Sequence, residues 1–485
     1  MTGPSHWYEA AVELFNKGVA KPELWIGDWR HEENAAKTFG SSAVYSLDIL
    51  KFKPWMLELD YESTKLSSFY KSPNYLRAKD RCTKMMDRLD KFGSFSRNDR
   101  EIFFHSIITW GVKKFDELRP DFLIVVENSH SHPQYALLEI ALFFDIPVYK
   151  FNSWMFLPLL TFENVNKSKL VHKKENFNND LRNHFITVII DFIDLVSSKK
   201  QYEPVYLRKQ RVESQKFNIF KKNIKNFPMN FLRQLKINLF NKWSGTYDPI
   251  NPFNDGFISQ MIKISNRRKN LDNLFQKHLI SIKSKEFIYF ALHYEPERTT
   301  NPDGGDFHDQ FIAIMNLRAI TPNSVEILIK EHPTQLRNSE VGYLGRSPLF
   351  YKLIDSLPGL KLIPSNTDSR SLIKESLFVA SIAGNVAVEA AILSKPALIF
   401  GSSWFRNCPN IINWHDEITF DEIINSDIKS VEDIKKYFID LMDDFSFPGF
   451  HNIATANRFQ NFQDKLFKQE QLRFTVNMLE ALFIE

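Results

Sequence analysis

Residues 381–401, SIAGNVAVEAAILSKPALIFG, contain a pattern that can bind a nucleotide. A predicted strand ends just before Gly384, a short helix begins at Asn385, and Glu389 follows about one turn later. Backbone N–H groups at the start of a helix bind phosphate, and a nearby carboxylate can accept hydrogen bonds from both hydroxyls of a ribose. The stretch therefore predicts contacts to the phosphate and the sugar of a nucleotide. The alternative is that Gly384 only ends a strand and Glu389 is a surface residue.

Two further polar loops follow predicted strands of the same region. The sequence KEHP places Lys330 and His332 after the strand VEILI, and Pro333 stops that strand from continuing. A lysine and a histidine at a strand end suit a diphosphate or a leaving phosphate. The segment 293–306 follows the strand FIYFAL and contains a Gly-Gly pair, which predicts a mobile loop over the site. A charged surface loop is the alternative for KEHP.

Strands and helices alternate regularly from residue 286 to residue 400. The predicted strands are 286–292, 325–330, 360–364, 377–382 and 396–400, and the predicted helices are 306–320, 347–357, 369–376 and 385–394. Five or more strand–helix repeats in one run predict a doubly wound, Rossmann-like parallel sheet. Ligands of such sheets bind outside the carboxyl ends of the strands, where all three polar loops are expected.

The run 286–406, with YFALHYEPERTT, LIKEHP and SIAGNVAVEAAILSKPALIFGSSWF, resembles the C-terminal half of bacterial capsular polysaccharide biosynthesis proteins, the family that includes β-Kdo transferases. More distantly, it is similar to the nucleotide half of GT-B glycosyltransferases and of UDP-N-acetylglucosamine 2-epimerases. The resemblance implies an α/β, GT-B-like fold of two Rossmann-like domains that face a cleft. It implies metal-independent transfer of a sugar, Kdo-like and CMP-linked, to a surface polysaccharide or a lipid-linked acceptor. Asn385 departs from the family, which has threonine there.

The predicted site has a catalytic set and a donor-binding set. The predicted catalytic residues are Glu127, His132, His293, Glu295 and His332. The predicted donor nucleotide contacts are Lys330, His332, Pro333, Ser369, Ser381, Gly384, Asn385, Val386 and Glu389. The nucleotide base is expected on the loop 364–370. We expect no metal and no cofactor besides the nucleotide-sugar donor.

A second set of polar residues follows the best predicted strand of the N-terminal region. The strand 120–128, a helix over 135–144 and the strand 146–151 predict a β-α-β unit with parallel strands. Glu127, His130 and His132 follow the first strand and are expected on the acceptor side, where one could act as a general base. The histidines could instead bind a metal, although no third ligand has matching spacing. A plain loop is the remaining alternative.

Four regions are predicted from changes in composition. They are an N-terminal α/β acceptor-side domain at 1–165, a basic helical insertion at 166–280, a Rossmann-like nucleotide-sugar-binding domain at 281–425, and C-terminal helices packing back on the body at 426–485. Within the insertion, residues 199–242 are strongly basic, with apolar residues at helical spacing. This segment predicts either peripheral contact with an anionic membrane or a solvated helix face. RNA binding is disfavoured, because RNP-like strands and zinc-finger spacing are absent.

Composition narrows the class of protein. The chain has 485 residues, 43% of them hydrophobic, which predicts a globular protein, and its formal charge of +4 is too small to indicate a polyanionic partner by itself. Two cysteines far apart in sequence favour a reducing compartment. The N-terminal sequence lacks a signal-peptide pattern, so we expect a cytoplasmic protein, with contact at the inner membrane face left open. A glycosyltransferase is the main hypothesis. The alternatives are an epimerase-like isomerase and a noncatalytic assembly protein.

Overall fold

The fold was obtained as a computed structural model. It describes residues 6–27, 29–59, 63–88, 96–126, 130–198, 257–279, 286–296, 300–336, 342–451, 453–459, 462 and 465–483. The chain forms two compact units. Unit 1 comprises residues 1–84, 101–194 and 432–485, and unit 2 comprises residues 85–100 and 195–431. The basic segment 199–242 lies outside the described residues, so its membrane contact stays a prediction.

Unit 1 is built mainly from helices around a small sheet. Its helices are α1 (His6–Asn16), α2 (Trp29–Phe39), α3 (Leu47–Phe52), α4 (Thr64–Tyr70), α5 (Pro73–Met85), α6 (Arg97–Leu118), α7 (His132–Phe143), α8 (Asn179–Ser197), α16 (Val431–Phe445), α17 (Ile453–Arg458) and α18 (Lys465–Glu480). Its strands are β1 (Trp25–Gly27), β2 (Val44–Ser46), β3 (Leu123–Val125), β4 (Val148–Ser153), β5 (Leu159–Asn164), β6 (Lys169–Leu170) and β13 (Ser446–Pro448). The C-terminal segment thus contributes one strand to the sheet.

The main sheet of unit 1 has the order β13-β5-β4-β3, with β6 paired to β5. Strands β3 and β4 are parallel and joined through α7, so the predicted β-α-β unit is confirmed. The pairs β4–β5 and β5–β13 are antiparallel. Aromatic residues form the apolar face, where Phe151 stacks on Phe162 with ring centroids 4.5 Å apart and Trp7 of α1 packs on Phe151. Strands β1 and β2 form a separate parallel pair.

Unit 2 is a doubly wound α/β domain. Its strands are β7 (Phe287–Ala291), β8 (Glu326–Lys330), β9 (Leu360–Ile363), β10 (Val379–Ser381), β11 (Ala397–Ile399) and β12 (Ile411–Asn413). Its helices are α9 (Phe257–Lys277), α10 (Thr300–Asp303), α11 (Gln310–Ile320), α12 (Pro348–Ser356), α13 (Ser369–Glu375), α14 (Val386–Ile392) and α15 (Phe420–Ile424).

All strand pairs of the unit 2 sheet are parallel, and the order is β12-β11-β10-β7-β8-β9. In order along the chain this is 3-2-1-4-5-6, the strand order of a dinucleotide-binding Rossmann sheet. The predicted doubly wound α/β fold is therefore confirmed, and the structure adds the short strand β12. The order of strands reverses between β7 and β10. This switch point is where such sheets bind ligands, outside the carboxyl ends of the strands.

The core of unit 2 fills both sides of this sheet. Ile288 and Phe290 on one face of β7 have no exposed surface, and Phe287 on the other face is 1% exposed, as expected for parallel strands covered by helices on both faces. The sheet is therefore a rigid base for the loops that leave its carboxyl edge. Among the described residues, no helix combines the length and the apolar composition that a membrane span requires.

Candidate functional site

The loops after β7 and β10 are fastened together at the switch point. The Nε2 atom of His293 accepts a hydrogen bond from the backbone N–H of Ala383 at 3.2 Å and lies 3.2 Å from the hydroxyl of Ser381. Ser381 also donates to the carbonyl of Ala291 at 3.1 Å. Burial lowers the pKa of His293 to about 4, so the ring is neutral at physiological pH. Two predicted site residues, His293 and Ser381, thus meet and fix the turn.

Gly384 is required at this turn because there is no room for a Cβ. Its φ is not in the left-handed region, so the requirement for glycine comes from the space around the residue and not from its backbone conformation. A Cβ on Gly384 would lie 2.7 Å from the hydroxyl oxygen of Ser381 and 3.4 Å from Nε2 of His293. Glycine therefore allows the His293–Ser381 contact to form beneath the start of α14.

Asn385 does not cap α14 through its side chain. Asn385 occupies the N-cap position of α14 in a helical conformation, and its side chain makes no capping hydrogen bond. Val386 is the first residue of this seven-residue helix. Asp368 caps the neighbouring α13 instead, since its Oδ2 accepts hydrogen bonds from the backbone N–H and the hydroxyl of Ser371 at 2.8 Å each. This cap fixes the first turn of α13, and with it Ser369.

Lys330, Ser369 and Glu389 form a charged cluster at the ends of β8, β9 and β10. The Nζ of Lys330 donates to the hydroxyl of Ser369 at 2.5 Å, and Lys330 is only 6% exposed. Glu389 is half-buried, and its carboxylate accepts no hydrogen bond from the residues that the structure describes. Asp368 and Arg370 complete the charges that act on this carboxylate. The sequence-predicted donor residues Lys330, Ser369 and Glu389 therefore come together.

The pKa values of this cluster have moved toward each other. Burial lowers the pKa of Lys330 to about 8, against the attraction of Asp368 and Glu389. Burial also raises the pKa of Glu389 to about 7, against the attraction of Lys330 and Arg370. Both groups therefore change charge near neutral pH. Titratable groups shifted in this way at a sheet edge are typical of a binding or catalytic site.

His332 is held by its own loop. Its Nδ1 lies 2.9 Å from the hydroxyl of Thr334, and its ring meets Tyr294 edge-on with centroids 5.9 Å apart. Pro333 is exposed and ends the run after β8. The Thr334 contact fixes the orientation of the His332 ring, which is a requirement for any role at a phosphate.

Glu295 lies inside a network that supports its loop. It is 5% exposed, and its Oε1 accepts hydrogen bonds from Thr300 and from Gln310 at 2.9 Å each. Gln335 holds the backbone of Glu295 from the other side, donating to its carbonyl at 2.7 Å and accepting from its N–H at 2.8 Å. These contacts give Glu295 a structural role, and its predicted catalytic role gains no support from them.

The predicted acceptor-side residues belong to unit 1, whereas the cluster belongs to unit 2. Glu127 lies outside the described residues. His132 is 1% exposed at the start of α7, and its carbonyl accepts a hydrogen bond from the thiol of Cys82 at 3.1 Å. His130 is half-buried in the preceding loop. Among the described residues, no group of three or more His, Cys, Asp or Glu side chains could hold a metal ion.

Sequence reasoning missed several residues that shape the site. Tyr289 on β7 is buried beneath the cluster, and burial raises its pKa. Arg370 donates to the carbonyls of Val196 and Ser197, which belong to unit 2 like Arg370 itself. The aspartate three residues before Ser371 was a capping signal in the sequence. Nothing in the sequence indicated the contacts of Tyr289 and Arg370.

Unit 2 thus belongs to the class of doubly wound α/β domains with a polar site at the switch point. No protein family model and no curated protein matches the chain. Solved structures that are similar include the UDP-GlcNAc 2-epimerase from Methanocaldococcus jannaschii, with 14% identity over 72% of this chain and 84% of that chain and a TM-score of 0.24. MnaA from S. aureus with UDP has 12% identity over 75% and 86%, with a TM-score of 0.23. The UDP-GlcNAc 2-epimerase from Neisseria meningitidis bound to UDP-GlcNAc has 14% identity over 81% and 83%, with a TM-score of 0.20. None of these similarities is close enough to assign a function.

Proposed function

We propose that the chain is a glycosyltransferase that binds a nucleotide-sugar donor at the carboxyl edge of the unit 2 sheet. The observation that carries the proposal is the cluster of Lys330, Ser369 and Glu389 outside the strand ends, in which a buried lysine bonded to Ser369 lies within electrostatic reach of a carboxyl group that accepts no hydrogen bond from the described residues. A nucleotide offers the complementary groups, since its phosphates are anionic and its ribose hydroxyls are donors.

Each residue of the cluster has a role in this proposal. Lys330 binds a phosphate oxygen, and the negative phosphate restores the protonated state that burial disfavours. Glu389 accepts hydrogen bonds from the ribose hydroxyls, which supplies the partners that its carboxylate lacks. His332 stabilises the leaving phosphate, where negative charge develops in the transition state. His293 and Ser381 position the turn beneath the nucleotide.

The proposal also specifies the class of donor and of acceptor. The resemblance to capsular polysaccharide proteins favours a CMP-linked, Kdo-like sugar, transferred to a surface polysaccharide or a lipid-linked saccharide. Peripheral contact with an anionic membrane through residues 199–242 also remains a proposal. The epimerase alternative shares the nucleotide site and differs in requiring no acceptor.

A donor panel tests the proposal. The full chain is incubated with CMP-, UDP- and GDP-sugars, with and without a mixture of saccharide acceptors, and products are separated by mass and by sugar composition. Transfer of the sugar to an acceptor is the expected result. Conversion of the donor to an isomeric nucleotide sugar without acceptor assigns the epimerase instead. No turnover, combined with no calorimetric binding of CMP, UDP or GDP, overturns the nucleotide site itself.

A further inference from the structure

Two cations act on the carboxyl group of Glu389, and they differ in how long they keep their charge as pH rises. Lys330 is the last residue of β8, and Arg370 lies in the first turn of α13. Burial lowers the pKa of Lys330 to about 8, so its charge is lost just above neutral pH. An arginine stays protonated in proteins. Of these two cations, only Arg370 therefore supports the ionised form of Glu389 across the whole pH range.

The guanidinium of Arg370 is held by the last two residues of α8, which belong to unit 2 as Arg370 does. Its Nη1 donates to the carbonyl of Val196, and its Nη2 donates to the carbonyl of Ser197 at 3.0 Å. The last carbonyls of a helix have no partner within the helix and carry its negative partial charge, so they stabilise a cation. The two hydrogen bonds fix the planar guanidinium in one orientation.

No carboxylate neutralises Arg370 among the residues that the structure describes. Its remaining donor, Nε, is buried and has no hydrogen-bond partner there. Asp368, the acid nearest to it in sequence, instead caps α13 by accepting hydrogen bonds from Ser371. The positive charge of Arg370 therefore remains to act on Glu389, where it favours the ionised carboxylate.

Glu389 lies between opposing influences. Burial and the charge of Asp368 favour its neutral form, whereas Lys330 and Arg370 favour its ionised form, and the balance leaves its pKa at about 7. The phenol of Tyr289, buried beneath the cluster, also faces it. An ionised carboxylate only accepts hydrogen bonds, whereas a protonated carboxyl group donates one as well. The ionised form is therefore the better partner for two ribose hydroxyls, and a small change in the surrounding charge decides how much of it is present at neutral pH.

We propose that Arg370 is a positioning residue of the nucleotide site: the end of α8 holds its guanidinium within electrostatic reach of Glu389, and its charge keeps that carboxyl group ready to accept the ribose hydroxyls. Arg370 acts through Glu389 and does not itself contact the nucleotide. This inference rests on the proposed function for its role, since the ribose is the group that Glu389 would bind.

The experiment measures the titration of Glu389 in the full chain by NMR. Glutamate side-chain carboxyl groups are labelled with carbon-13, and the Glu389 signal is assigned by its loss in Glu389→Gln. The midpoint is expected at about pH 7 in the unmodified chain. Arg370→Gln keeps a side-chain donor for the α8 carbonyls but removes the charge, so the midpoint should rise by roughly one pH unit. Arg370→Lys keeps the charge and should leave the midpoint nearly unchanged.

Calorimetric binding of CMP, UDP and GDP gives a second readout. With a midpoint higher by roughly one pH unit, the ionised fraction of Glu389 at about pH 7 falls from about one half to about one tenth. Arg370→Gln should therefore bind the nucleotide roughly fivefold more weakly than the unmodified chain at about pH 7, and this ratio should approach one at about pH 9. A role in packing alone would weaken binding equally at both pH values.

The matched control is Lys374→Gln, which removes a positive charge from an exposed position one turn further along α13. Its titration midpoint and nucleotide affinity should equal those of the unmodified chain. The proposal is overturned if Arg370→Gln leaves the midpoint unchanged, if Arg370→Lys shifts it as far as Arg370→Gln does, or if the affinity ratio is the same at every pH. A shifted midpoint without binding of any of the three nucleotides would overturn the proposed function and leave the action of Arg370 on Glu389 standing.

Discussion

Two acid–base pairs lie beside the end of β8, and they differ in how fully their carboxylates are hydrogen-bonded. Glu331 accepts hydrogen bonds from Arg346 at 2.8 and 3.1 Å, from Tyr351 at 2.9 Å, and from the backbone of His332 at 2.8 Å. Glu389 accepts none from the described residues, although it also lies near a cation. Lys330 and Glu331 are consecutive, so neighbouring residues of the chain belong to an unsaturated and to a saturated pair.

This difference distinguishes a pair that stabilises the surrounding loops from a pair that can bind a ligand. In the Glu331–Arg346 pair the protein itself supplies every partner, so nothing is left for a ligand and the pair fixes the loops around it. In the Lys330–Glu389 pair, burial has shifted both pKa values toward neutrality because the protein does not supply enough partners. A nucleotide would supply them. The first pair should therefore govern stability and the second should govern nucleotide affinity.

The largest expected effect comes from breaking the saturated pair. Arg346→Met leaves the carboxylate of Glu331 buried without its cation, which typically costs about 3–5 kcal/mol. We expect a loss of this size in the urea unfolding of unit 2, while nucleotide affinity per folded molecule stays within about 0.5 kcal/mol of the original.

The matched control is Arg182→Met, because Arg182 forms a two-point pair with Asp443 at the surface. Exposed pairs of this kind contribute about 0–1 kcal/mol. An Arg346→Met protein as stable as Arg182→Met would show that the Glu331–Arg346 pair is not the support that the hydrogen bonds indicate.

Removing the carboxylate of the Lys330–Glu389 pair should weaken nucleotide binding. Glu389→Ala is expected to weaken calorimetric nucleotide binding by about 1.5–3 kcal/mol, the cost of losing a hydrogen-bond partner that carries a charge. Glu375→Ala, an exposed glutamate at the end of α13, is the control and should bind normally. If Glu389→Ala lowers the melting temperature and leaves affinity unchanged, Glu389 is structural and the ribose contact is wrong.

The stability of the chain should depend on pH through Glu389. Its pKa is raised from 4.5 to about 7 on folding, so the folded state binds more protons than the unfolded state in that window. The contribution of Glu389 to the free energy of unfolding therefore falls as pH rises from about 4.5 to 7. Glu389→Gln lacks this titration, so its melting temperature should rise above the original more at about pH 8 than at about pH 5. A difference that is constant with pH would contradict the shifted pKa.

The two pairs also show which features of the fold and of the candidate site could be predicted from the sequence. The sheet of unit 2, apart from β12, followed from alternating apolar runs, and Lys330 and Glu389 followed from their positions at strand ends. Glu331 and Glu295 have the same chemistry and similar positions. The hydrogen bonds to Glu331 and Glu295 depend on Arg346, Gln335 and Gln310. These three residues lie in irregular segments and at the start of a helix, and no sequence pattern links them to the two glutamates. Residue type and spacing therefore pointed to the sheet edge where these residues lie, whereas the distinction between the saturated and the unsaturated carboxylate required the packed structure.

The smallest expected effect concerns Ser369, the hydrogen-bond partner of Lys330 at 2.5 Å. Ser369→Ala removes an acceptor for the ammonium group, so the pKa of Lys330 should fall further below about 8. Nucleotide affinity should drop by about 0.5–1.5 kcal/mol, the usual net contribution of one hydrogen bond. Because deprotonated lysine cannot attract phosphate, the drop should be larger at about pH 8 than at about pH 6. Ser371→Ala, two residues along and bonded to Asp368, is the control and should show neither the drop nor its pH dependence. An equal drop at both pH values would mean that Ser369 contacts the nucleotide directly and does not act through Lys330.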